Sequence, residues 1–146
     1  MTRLLAAASA ALLAFASPVS AQDTSPLVPG EWVEVGTIAI ADGHGLDYAN
    51  HLATQWRRGQ DFAKAQGWIT DYEILENVHP RDGEPDLYLV SRFTQFETPQ
   101  EAQERGRLYR EHMQRTLTQM QSESGDRAEY RTVKGAILLR KVNFRD

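Results

Sequence analysis

Leu46–Val78 reads LDYANHLATQWRRGQDFAKAQG and then WITDYEILENV, and the change of periodicity at Gly67 decides the fold. In the first part Ala49, Leu52, Ala53, Trp56 and Ala63 recur at three- and four-residue spacing, while Asp47, Asn50, Arg58 and Asp61 fall on the opposite arc. That pattern predicts one amphipathic helix. Gly67 stands where a left-handed stop residue belongs, and Trp68 to Val78 is rich in aromatic and branched residues with partial alternation. A helix feeding a strand needs a sheet to lie on.

Upstream, Trp32 to Ile40 alternates as a first strand should, and Asp42-Gly43-His44-Gly45 breaks it before the helix. Gly59 is the anomaly inside that helix, since an interior glycine costs about 1 kcal/mol against alanine. Its plain reading is a close approach of helix and sheet or a mild kink; the sharper one is room left for a ligand. Downstream, His79 to Pro85 is a turn cluster, and Asp86 to Thr94 alternates again, predicting a hairpin. Thr98, Pro99 and Glu101 form a capping-box start to a second helix, expected to run to Ser122-Glu123-Ser124-Gly125. Gly135 to Phe144 is the last strand, with Tyr130 to Val133 as a lead-in.

Arg3, the apolar run Leu4 to Ala16 and the small residues Val19-Ser20-Ala21 have the order of a secretory signal peptide, cleaved after Ala21. The run is about 13 residues, short of the roughly 20 a bilayer span needs. Residues 22–30 are expected to be a flexible tether, and residues 31–146 one domain. The chain has no cysteine, so no disulfide supports it. Without Arg3 there are 15 basic and 20 acidic side chains, interspersed, which argues against nucleic acid and against a basic membrane-binding face.

Strand, helix, strand, strand, helix, strand is the split βαβ order of an α+β, ferredoxin-like βαββαβ fold, a four-stranded antiparallel sheet with two helices on one face. The other face, carrying some of Trp32, Ile38, Tyr72, Ile74, Tyr88 and Val90, would be left partly apolar. A second copy packed face to face is the expected cover, giving a homodimer. On this order, and on the passages Ala63-Lys64-Ala65-Gln66-Gly67-Trp68-Ile69 and Arg92 to Ala102, the chain resembles the dimeric α/β-barrel superfamily, including antibiotic-biosynthesis-monooxygenase-like, EthD-like and NIPSNAP-like domains. The resemblance implies a cavity between helices and sheet that serves cofactor-free oxygenation, haem breakdown, isomerisation or no known chemistry. No resident cofactor is expected, with haem binding kept as a third option behind the two functions below.

Among the four histidines, His44, His51, His79 and His112, none is spaced to place two metal ligands on one helical face, and no metal site is expected. His44 in its glycine setting and His112 near the apolar edge of the second helix are the candidate proton acceptors, with Arg92 to hold an oxyanion. Trp56, Tyr72, Tyr88 and Tyr109 are the candidate lining of a pocket for a flat organic molecule. There is no nucleophile elbow, P-loop or dinucleotide fingerprint. Two functions follow: an exported homodimer binding a small organic ligand or a protein partner without catalysis, or a cofactor-independent monooxygenase or isomerase on a small aromatic or polyketide-like compound.

Overall fold

The computed structural model describes residues 25–146. The expected signal peptide and residues 22–24 lie outside them. Four strands form one sheet in the order β2-β3-β1-β4, every neighbouring pair antiparallel: β1 is Leu27–Ile40, β2 Asp71–Glu76, β3 Leu87–Phe93 and β4 Arg131–Phe144. The crossover from β1 to β2 runs through α1 (Gly45–His51), a π-helical turn (Leu52–Trp56) and α2 (Arg57–Ala65). The crossover from β3 to β4 holds α3 (Pro99–Met113), α4 (Leu117–Asp126) and a short 3-10 turn (Arg127–Glu129). This is the ferredoxin-like α+β topology.

Cross-strand partners share a face, so the register sorts the sheet into two sides. Ile38 packs with Tyr48 and Leu52 of the first crossover, with Ile40, Trp56, Leu87, Leu89 and Tyr130 around them, and that cluster defines the helix-bearing side. Glu34, Ser91, Tyr72, Leu89 and Ile74 lie on the same side through the register. The Gln60 side chain of α2 meets the Ser91 hydroxyl at 3.3 Å. The opposite side carries Val33, Val35 and Thr37 of β1, Tyr88, Val90 and Arg92 of β3, Leu75 of β2, and Ile137 and Leu139 of β4. Of the six residues expected at the open side, Tyr88 and Val90 are there; Trp32, Ile38, Tyr72 and Ile74 face the helices. Alternation gives two sides but not which one the helices take.

Three local features depart from the sequence reading. The first strand begins at Leu27, inside the expected tether. Leu27, Val28 and Pro29 pair with Phe144, Asn143 and Val142, while pairing to β3 starts only at Trp32, so Pro29 sits where its missing N–H costs no ladder bond to β3. A bulge between Pro29 and Trp32 then shifts the register against β4. The second helix is two helices, because Gln114 adopts a left-handed φ of 55° and Thr116 opens α4 with its own capping box to Gln119. Gly125, expected as the stop, lies within α4.

The first helix is unbroken but not uniform. In its π turn one extra residue is taken up, and each residue turns the helix by about 100°, so side chains beyond it are re-aimed. The Thr54 hydroxyl donates to the Asn50 carbonyl at 2.7 Å, competing with the helical ladder there. Gly59 follows, and its close neighbour is the Tyr109 ring of α3, with a Cβ at Gly59 falling 3.0 Å from Cε2. The glycine therefore marks an approach of helix to helix rather than of helix to sheet. Gly67 closes the segment as expected, at φ 72°. Trp68 N–H donates to the Ala63 carbonyl and Gly67 N–H to the Lys64 carbonyl, which is the Schellman pattern.

Candidate functional site

The π turn and α2 stand over edge strand β2, and between them lies an open groove of about 720 Å³. Its apolar surface comes from Ala49, Leu52 and Ala53 on the helix and from Ile74 and Leu87 on the sheet. Trp56 and Tyr72 meet edge to face in it, ring centres 5.3 Å apart and planes at 83°. The polar rim is made by residues one helical turn apart and by the strand opposite. Arg57 Nε is 3.7 Å from Asp61 Oδ2, and Lys64 Nζ is 2.8 Å from Asp71 Oδ1. The Tyr72 hydroxyl donates a short hydrogen bond to Asp61 Oδ1. That bond, and then burial, raises the phenol above its ordinary pKa, so Tyr72 stays a proton donor at neutral pH. On the rim the mutual hydrogen bond raises Lys64 and lowers Asp71, so both remain charged.

Such a groove offers two aromatic faces, a small apolar floor and acceptor and donor groups at its mouth. Chemically it suits a flat molecule with a polar substituent.

The expected site residues divide between several surfaces. Trp56 and Tyr72 come together in the groove. Tyr88 lies on the opposite side of the sheet, paired across to Thr37 and Leu75. Tyr109 belongs to the helix layer, packed against Gly59, and burial raises its hydroxyl pKa. His44 stands at the N-cap position of α1, where its Nδ1 is 2.8 Å from the Asp47 side chain Oδ2 and its ring stacks on Tyr130. His112 lies in the last turn of α3 with its ring stacked on Phe62, centres 4.2 Å apart, on a shallow outer surface beside Arg57 and Arg58. Arg92 lies beyond the sheet from the groove, its Nη2 2.6 Å from Glu73 Oε1. The two histidines and this arginine do not converge on one ligand position.

Asp61, Lys64 and Asp71 reach the groove without having been singled out. Asp61 lies on the polar arc of the helix, and only the lean of α2 over β2 brings that arc to Tyr72. Among the described residues no three His, Cys, Asp or Glu side chains are placed to hold a metal ion, and no helix is long and apolar enough to cross a membrane.

No family model matches the chain. No curated protein is significantly similar to it. Among solved structures, it is similar to a dimeric protein of unknown function with a ferredoxin-like fold from Bacteroides fragilis, at 11% identity, covering 79% of this chain and 96% of that one with a TM-score of 0.37.

Proposed function

We propose that this chain is an exported, homodimeric binding domain that holds a small flat organic molecule in the groove between α1–α2 and β2. The observation that carries the reading is the Trp56–Tyr72 pair, set edge to face in a groove whose mouth is ringed by Asp61, Lys64 and Asp71. A stacking surface with polar groups at one end orients a planar ligand. Binding is favoured over turnover because the candidate proton acceptors His44 and His112 stand on other surfaces, and because Asp61, the carboxylate beside the aromatic pair, is already engaged as acceptor of the Tyr72 hydroxyl hydrogen bond.

Support for the homodimer comes from the helix-free side of the sheet. Leu75, Ile137 and Leu139 are 49%, 50% and 50% exposed there, around the buried Val33 and Val90. Fully burying one such side chain is worth about 1.5–3 kcal/mol relative to leaving it exposed, so covering the exposed half of three is a substantial driving force. A second copy offers the same apolar centre, flanked by the Arg92–Glu73 pair as a polar margin. On this reading the molecule follows the dimeric α/β-barrel plan, and the signal-like start of the chain is removed on export.

Native mass spectrometry of protein purified from its producing cells tests the groove. The expected spectrum is a dimer carrying a retained organic mass that Trp56→Ala loses while staying dimeric. A retained mass that survives both Trp56→Ala and Tyr72→Ala would place the ligand elsewhere and end this assignment.

A further inference from the structure

On the far side of Trp56 from the groove is a second, more enclosed space of about 170 Å³. The first crossover supplies His51, Gln55 and Trp56 to its wall, and α3 supplies Tyr109 and Met113. The break at Gln114 lets α4 fold across, and Met120, Glu123 and Arg127 complete the wall. Positive charge outweighs negative here. Arg115 Nε is 2.6 Å from Glu123 Oε1, so its charge is compensated within the wall, although that nitrogen, shielded like Arg127 Nε, is not aligned for a hydrogen bond. Arg131 reaches the Ser124 hydroxyl at 3.4 Å. Arg127 has no such partner: its Nε is shielded from solvent with nothing to donate to, and no carboxylate among the described residues lies within ion-pairing distance of its guanidinium.

We propose that this cavity is a binding site for a small organic carboxylate, whose oxygens accept from the Arg127 guanidinium while its hydrocarbon part lies against Met113, Met120 and Trp56. A guanidinium whose Nε is cut off both from water and from any acceptor is a costly arrangement, and a carboxylate matches its fork of donors. His51 does not supply the missing anion and does not add charge, because burial first, and then Arg127 and Arg131, hold its ring neutral. Size sets the ligand class. At about 30 Å³ per water in the liquid, 170 Å³ accommodates roughly five or six heavy atoms. The thioether and indole walls favour an alkyl stub over a fully hydrated oxyanion such as phosphate. The π turn puts Gln55 and Trp56 on this space beside His51 at the end of α1, and such turns recur where a helix serves a site. Trp56 borders both spaces, but Arg127 lines only this one, so Arg127→Met tests this site apart from the groove.

Thermal melting of the purified protein with sodium butyrate, phosphate or chloride, at matched ionic strength and pH 7, is the test. Butyrate should raise Tm saturably by several degrees, and phosphate and chloride should not. Arg127→Met should melt at or above the unliganded wild-type temperature, because an unsatisfied buried N–H is removed, and should show no butyrate response. No saturable rise with butyrate, an equal rise with phosphate, or a response retained in Arg127→Met overturns the site. Should Arg127→Met fail to fold, the ring proton resonances of His51 in the wild type decide. They move saturably on butyrate titration if the anion enters, and unmoved resonances refute it.

Discussion

The two crossovers end their long helices with the same hydrogen-bond pattern and different residues. At the end of α2, Gly67 takes the left-handed position, with Trp68 and Gly67 donating back to Ala63 and Lys64. At the end of α3, Gln114 takes it at φ 55°, with Arg115 and Gln114 donating back to Arg110 and Glu111. Glycine adopts that backbone freely, whereas a residue with a Cβ pays about 1–2 kcal/mol for it. The chain accepts that cost at Gln114, where the return brings α4 over the first crossover and encloses the space around His51 and Arg127. After Gly67 the chain goes directly to the sheet and the groove is left open. One stop serves the fold; the other serves a cavity.

The largest expected way to break this arrangement is at the contact between the crossovers. Gly59→Leu would drive a side chain into the Tyr109 ring, and urea unfolding should show a loss of about 3 kcal/mol. A gain of about 1 kcal/mol in Gly59→Ala, as at an exposed helix glycine, would show that α2 and α3 are not in contact there.

Acid tests the enclosed space next. The His51 ring is held down to about 4 from an ordinary 6.5, chiefly by burial, then by Arg127 and Arg131 and against the pull of Glu123. Between those values the unfolded chain takes up a proton that the native ring refuses. The contribution is therefore complete above pH 6.5 and lost as pH falls toward 4. The ring is partly accessible, so about 1–2 kcal/mol is expected. Wild type should lose that much more stability than His51→Gln between pH 7 and pH 4.5 by urea titration, and parallel curves would contradict the burial.

Substitution at the two stops gives effects no larger than that, of opposite sign. Gly67→Ala should cost about 1–2 kcal/mol, because a Cβ enters a left-handed position. Gln114→Gly should stabilise by about 1 kcal/mol, since strain is relieved at the same kind of position, offset by glycine's extra unfolded-state freedom. Differential melting of the pair compares them directly. Equal signs would mean that the two helix ends are not alike.

The same contrast explains what the sequence could disclose. Gly67 after an apolar-periodic run, and Thr98-Pro99 with Glu101, are residues whose chemistry is tied to one backbone state, and both sit where expected. Gln114 carries no such preference. Thr116 with Gln119 is a capping box that the continuing periodicity of Tyr109, Met113, Leu117 and Met120 masked. Pro29 and Gly30 read as breakers, yet they stand where β1 has a partner on one side only. Of the site, Trp56 and Tyr72 were legible as aromatic surface. Asp61 and Arg127 were not, because a charged residue on a helix acquires its meaning from the element that leans over it.

The central claim is that one side of this sheet is covered by its own helices and the other by a second copy. Multi-angle light scattering on the purified protein at micromolar concentration, alongside Leu139→Glu, tests it most directly. The account predicts twice the chain mass for wild type and a single chain mass for Leu139→Glu. A wild-type mass of one chain, or a dimer indifferent to Leu139→Glu, would contradict it.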